Sequence, residues 1–205
     1  MIGNYSSTND GTSTGISAGP TAKVFGFTLP TGSDYTLDNI TLRLLGYNTT
    51  AGEVALLRIY EDVNKTSTDP IGIGSVLQSL LFTNPSSSSD TVNNFTFTPA
   101  STFTFKANTR YWVSLGVTAG QFNWSANSPS VVPTGLSGIT NDGYRLTANA
   151  AIGPYTVSAT QNSFDIQATV ATSVPFDFDP SLGVAVLGGG WLLRKHLKNK
   201  KSTKV

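Results

Sequence analysis

The sequence has no cysteine, one histidine and one methionine, and only 12% of its 205 residues are charged. Without cysteine there is no disulfide framework and no thiolate metal site. The lone histidine, His196, sits among lysines near the end of the chain. A Ser/His/Asp or Cys/His nucleophilic arrangement in the body is therefore excluded, as is a histidine cluster for zinc, copper or non-haem iron. Glycoside hydrolysis needs two carboxyl groups across a cleft, and the spacing of Glu53, Glu61, Asp62 and Asp69 selects no pair. Gly72-Ile73-Gly74 is too short for a phosphate loop. The expectation is a protein that is not an enzyme and holds no cofactor.

Positive charge is scarce in the body and concentrated at the end. Residues 1–180 carry seven Lys+Arg against twelve Asp+Glu, whereas residues 181–205 carry six cations and no acid. An acidic body argues against nucleic acid, which is held mostly by neutralising phosphates with a basic face. The opening stretch MIGNYSSTNDG has neither a basic nor an apolar segment, so no signal peptide is read there. Export then implies a leader already removed or encoded upstream; a true start at Met1 would favour a cytosolic protein tethered by its tail.

What the body has in quantity is Ser, Thr and Asn set into period-two alternation, the pattern of half-buried strands. Strands are predicted over 23–29, 35–44, 53–60, 95–98, 103–105, 109–117, 121–125 and 163–170. SVLQSLLF, 75–82, fits a strand or a short helix, and its loop-like flanks favour the strand. Thr118-Ala119-Gly120 separates 109–117 from 121–125 by a turn, which predicts a hairpin. Eight or nine short strands predict an all-β chain, a jelly-roll-like antiparallel β-sandwich.

The tail differs in kind. PFDFDP (175–180) precedes a twelve-residue apolar run, Leu182–Leu193, with Trp191 close to a cluster of cations. As a helix the run spans about 18 Å against a hydrocarbon core of about 30 Å. Length alone makes it marginal. An interfacial Trp, snorkelling stems and a basic end favour a short transmembrane helix with its C-terminus in the cytoplasm. A packed C-terminal helix or a disordered basic tail is the alternative.

A proline-bounded aromatic–acidic motif, a Gly-rich apolar run and a basic tip together resemble a PEP-CTERM sorting tail, in the PFDF form found in cyanobacteria. The resemblance implies recognition by an exosortase, with Pro175, Phe176, Asp177, Phe178 and Pro180 as the sorting motif. Arg194, Lys195, Lys198, Lys200 and Lys201 would form the membrane stop. AKVFGFT (22–28), TLDNITLRL and FTFTPASTFTFKANTRYWVSLG through FNWS resemble a choice-of-anchor R domain, which implies an extracellular β-sandwich and no reaction. The expected boundaries are 1–172 for the sandwich, 173–181 for linker and motif, 182–193 for the apolar membrane segment and 194–205 for the basic tail.

Two ligand readings come from side-chain chemistry. Aromatic faces stack on sugars while carboxamides, carboxylates and guanidinium groups fix hydroxyls, so Asn123, Trp124, Asp142, Tyr144 and Arg145 are candidates for binding exopolysaccharide or another surface glycan. For Trp124 a place in the core is the competing reading. Glu61, Asp62, Asn64 and Asp69 crowd oxygen ligands into one stretch, a weak calcium candidate lacking EF-hand spacing, against which stands a solvated acidic turn.

Overall fold

The computed structural model describes residues 1–5, 10–17, 21–62, 65, 76–78, 82–85, 89–147 and 154–172. The described strands are β1 (Ile2–Gly3), β2 (Asp10–Ser17), β3 (Ala22–Thr28), β4 (Tyr35–Tyr47), β5 (Val54–Asp62), β6 (Val76–Gln78), β7 (Phe82–Thr83), β8 (Ser89–Pro99), β9 (Thr104–Phe105), β10 (Arg110–Ala119), β11 (Gln121–Asn127), β12 (Thr134–Gly135), β13 (Thr140–Thr147), β14 (Thr156–Ser158) and β15 (Phe164–Val170). All described pairings are antiparallel and form two sheets. The all-β expectation is met.

One sheet has the order β14-β13-β3-β10-β5-β6. The other is organised by β4. Residues 40–47 of β4 pair with β8 along one edge, while the opposite edge pairs with β15 over 35–42 and with β11 at Leu44 and Leu45. β1 and β12 extend outward from β15, and β2 from β11.

Alternation explains why the sheets face each other. Tyr111, Val113, Leu115 and Val117 point inward from β10, as their spacing predicts, and meet Leu42, Leu44, Phe95 and Phe97 from the other sheet in a single core. Phe25 stacks on Phe164 with ring centroids 3.8 Å apart, joining the third strand to the last. Met1–Ala171 forms one compact unit.

The predicted hairpin is corrected. β10 pairs with β3 and β5, and β11 with β2 and β4, so the two strands lie in different sheets. Gly120, at φ +79°, carries the chain across; its missing Cβ leaves room for Glu53, whose Cγ would lie 2.4 Å from it. Residues 76–78 are strand, in line with the favoured reading of that segment, and 79–81 lie outside the described residues.

Candidate functional site

The residues nominated for glycan stacking do not converge. Trp124 is fully buried: its indole Nε1 donates to the Ser163 carbonyl at 2.9 Å and its ring meets Phe25 edge-on. Tyr144 is also in the core, donating its hydroxyl to the Asn162 carbonyl at 2.8 Å, and burial pushes its pKa far up. Neither ring presents a face to solvent, which overturns their expected role. Both positions are inward-pointing on two-sided strands, and an inward aromatic fills volume between sheets.

Asp142 accepts from the Thr28 hydroxyl at 2.7 Å, and Arg145 lies 5.4 Å from the Trp112 ring, both on the outside of the six-stranded sheet. Asn123 faces outward from the other sheet. The calcium set is described only in part. Asp62 is buried and bonded to Arg110, whose Nε donates to Oδ2 at 2.7 Å; Asn64 and Asp69 lie outside the described residues. Among the described residues no group of three or more His, Cys, Asp or Glu side chains could hold a metal ion.

A different surface does bring together ring, carboxylate and carboxamide. Ile2 and Asn4 point inward from the start of the chain, so Gly3 and Tyr5 point outward. Asn4 fixes this arrangement: its Oδ1 accepts from the Phe164 amide at 3.0 Å, its Nδ2 donates to the Val131 carbonyl at 3.0 Å, and its carbonyl accepts from Asn127 Nδ2 at 2.6 Å. Tyr5 is 39% exposed, the one aromatic among the exposed large apolar side chains described. Its hydroxyl accepts from Asn94 Nδ2, and Asn94 Oδ1 in turn accepts from Arg43 at 3.2 Å.

Beside Tyr5 lies a concavity of about 370 Å³ lined by Gly3, Thr134, Gly135 and Asp165. Close strand approach needs glycine here: a Cβ on Gly3 would stand 2.7 Å from Asp165 Oδ1, and one on Gly135 2.2 Å from the Met1 carbonyl. Asp165 Oδ2 accepts from Gln167 at 2.5 Å. Farther along β4, on the same outer face, a second concavity of about 470 Å³ is lined by Gly15, Ser17, Leu45, Glu53, Gln121 and Asn123. Asn123 is thus the one nominated residue that lines a groove on this face. From Thr41, opposite Asp165, to Leu45, opposite Asn123, is about 13 Å of strand.

Lys23 is the strongly perturbed basic group. It is fully buried, donating from Nζ to Thr14 Oγ1 at 3.1 Å and to the Thr160 carbonyl at 2.8 Å, and desolvation lowers its pKa to about 8. It lines none of the described cavities.

Sequence reasoning missed Tyr5 because β1 is two residues long and shows no periodicity of its own. The available signal was Ile2-Gly3-Asn4-Tyr5 itself, legible only against the alternation of β15. The sorting motif, apolar run and basic stop lie outside the described residues, among which no helix is long and apolar enough to cross a membrane. The chain matches no family model, no curated protein and no solved structure.

Proposed function

We propose that this chain is a non-catalytic protein of the cell surface or extracellular matrix, exported and then processed or anchored through its C-terminal tail by an exosortase-type enzyme. The observation that carries the reading is the order of parts after the last strand. β15 ends at Val170, and the sequence then presents Pro175-Phe176-Asp177-Phe178-Asp179-Pro180, the apolar run and six cations in succession. Each part has a physical role at a bilayer: the apolar run partitions, Trp191 sits at the interface, and the cations resist translocation. On this reading the body is a jelly-roll-like sandwich of the choice-of-anchor kind, residues 182–193 form a short membrane helix, and the partners are the membrane and the exosortase. Deleting 175–205 tests it: the protein should then leave the surface fraction, and unchanged surface retention would refute the role of the tail.

A second reading, a carbohydrate-binding module, is favoured by Tyr5. An open ring flanked by Asp165, Asn94 and Thr134 is the combination that recognises sugar rings and their hydroxyls. Asp165 and Glu53 on this face favour a neutral glycan over an acidic one. Binding on a glycan array that disappears in Tyr5→Ala and persists in Arg145→Ala would support it; binding indifferent to Tyr5→Ala would end it.

A further inference from the structure

We propose that the concavity beside Tyr5 takes the ammonium group of an amino sugar, so that the glycan recognised there is cationic. The proposal rests on the carbohydrate reading of Tyr5 and narrows it to one class of sugar. Tyr5 and Asp165 line the same concavity. A ring face attracts a cation through its quadrupole and a carboxylate attracts it by charge, so together they discriminate an ammonium from a hydroxyl. Asp165 is placed to do this. Its Oδ2 accepts from Gln167 at 2.5 Å, and it forms no ion pair among the described residues. Its Oδ1 lies over Gly3, where a Cβ would stand 2.7 Å away, so the glycine keeps that oxygen from being covered.

The surrounding sheet favours the same sign of ligand. The strands of the nine-stranded sheet carry one cation, Arg43, against four acids, Asp10, Asp38, Asp90 and Asp165, whereas those of the six-stranded sheet carry four cations against three acids. Arg43 is buried, and its guanidinium donates to Asn94 Oδ1 at 3.2 Å. Asn94 Nδ2 donates to the Tyr5 hydroxyl, so Arg43 lies beyond the hydroxyl end of the ring. Arg110 and Arg145 stand against Trp112 on the outside of the other sheet. A cationic ligand is therefore drawn to the nine-stranded face, by a field that salt screens.

An amino sugar fits better than a lysine side chain. Thr134 lines the same concavity, and the Tyr5 hydroxyl, which accepts from Asn94, keeps its own proton to donate. These groups match the hydroxyls of a sugar ring, which a lysine side chain lacks.

Calorimetry on the full chain in mild detergent tests this with two oligosaccharides of equal length and linkage, one of glucosamine and one of N-acetylglucosamine, at a pH where the free amines are protonated. The glucosamine oligomer should bind about tenfold more tightly, as a hydrogen bond between charged groups provides, and should lose that advantage in high salt. Asp165→Asn should make the two equal while leaving the N-acetylated affinity and the thermal transition unchanged. Asp38→Asn, exposed elsewhere on the sheet, should keep the preference, and Tyr5→Ala should weaken both oligomers. Equal binding by the wild type, or a preference that survives Asp165→Asn, would overturn the amino-sugar proposal and leave the carbohydrate reading standing. Oligolysine bound as tightly as the glucosamine oligomer and indifferent to Tyr5→Ala would overturn it in favour of a basic peptide. No binding of the glucosamine oligomer would also overturn it, and a blank glycan array besides would remove the carbohydrate reading with it.

Discussion

On the outside of the six-stranded sheet, Val24, Tyr60, Trp112 and Tyr155 close into a second apolar cluster, with Arg110 and Arg145 within 5.5 Å of the Trp112 ring centroid. The outside of the nine-stranded sheet carries Thr41, Thr96, Asn94, Asp165 and an open tyrosine instead. Both faces are built from the outward half of alternating strands, so alternation does not account for the difference. It comes from which residues occupy that half: large and apolar on one sheet, short and hydroxylated on the other. Apolar outward residues bury one another and add to stability, whereas a hydrated polar face contributes little to folding.

Mutation should expose that division sharply. Trp112→Ala on the closed face removes a buried indole and should cost about 3–5 kcal/mol, read from denaturant unfolding. The interior shared by both sheets gives the next effect. Lys23 has a folded-state pKa of about 8 against an ordinary 10.5, so the unfolded chain binds more protons between those values. Stability should therefore rise with pH from about 8 to 10.5, by about 3 kcal/mol at most, and be insensitive to this group below 8. Lys23→Met should flatten that slope; an unchanged slope would place its origin elsewhere. Gly26→Ala tests the closed face from beneath, because its Cβ would stand 2.6 Å from the Trp112 ring. The ring must shift, at a cost of about 1–3 kcal/mol. On the open face Thr96→Ala loses only an exposed hydroxyl contact to Thr41 at 2.9 Å and should stay within about 0.5 kcal/mol of wild type. A large effect there would dissolve the distinction between the faces.

The same residues show what was legible beforehand. Strands rich in alternating apolar residues, such as Thr109–Val117 and Ser163–Val170, were readable because period two is a local property. β2 was not, since DGTSTGIS has one large apolar residue, Ile16, and is ordered by its pairing with β11. The hairpin was misread for a related reason: a short turn fixes proximity in the chain, while the choice between staying in a sheet and crossing to its partner depends on neighbours supplied by β3, β5, β2 and β4. For Trp124, the sequence shows a large amphipathic ring on a strand, and only the second sheet decides whether that ring faces Phe25 or water. The tail shows its chemical parts in order in the sequence, and it lies outside the described residues.

Surface delivery through that tail is the central claim, and it is tested most directly by identifying the C-terminus of the protein recovered from the outside of intact cells. The account predicts a surface-exposed sandwich domain that becomes protease-accessible without lysis, with its mature C-terminus near Pro180 or its basic end still held at the membrane. Full-length protein ending at Val205, wholly soluble and protected inside the cell, would contradict it.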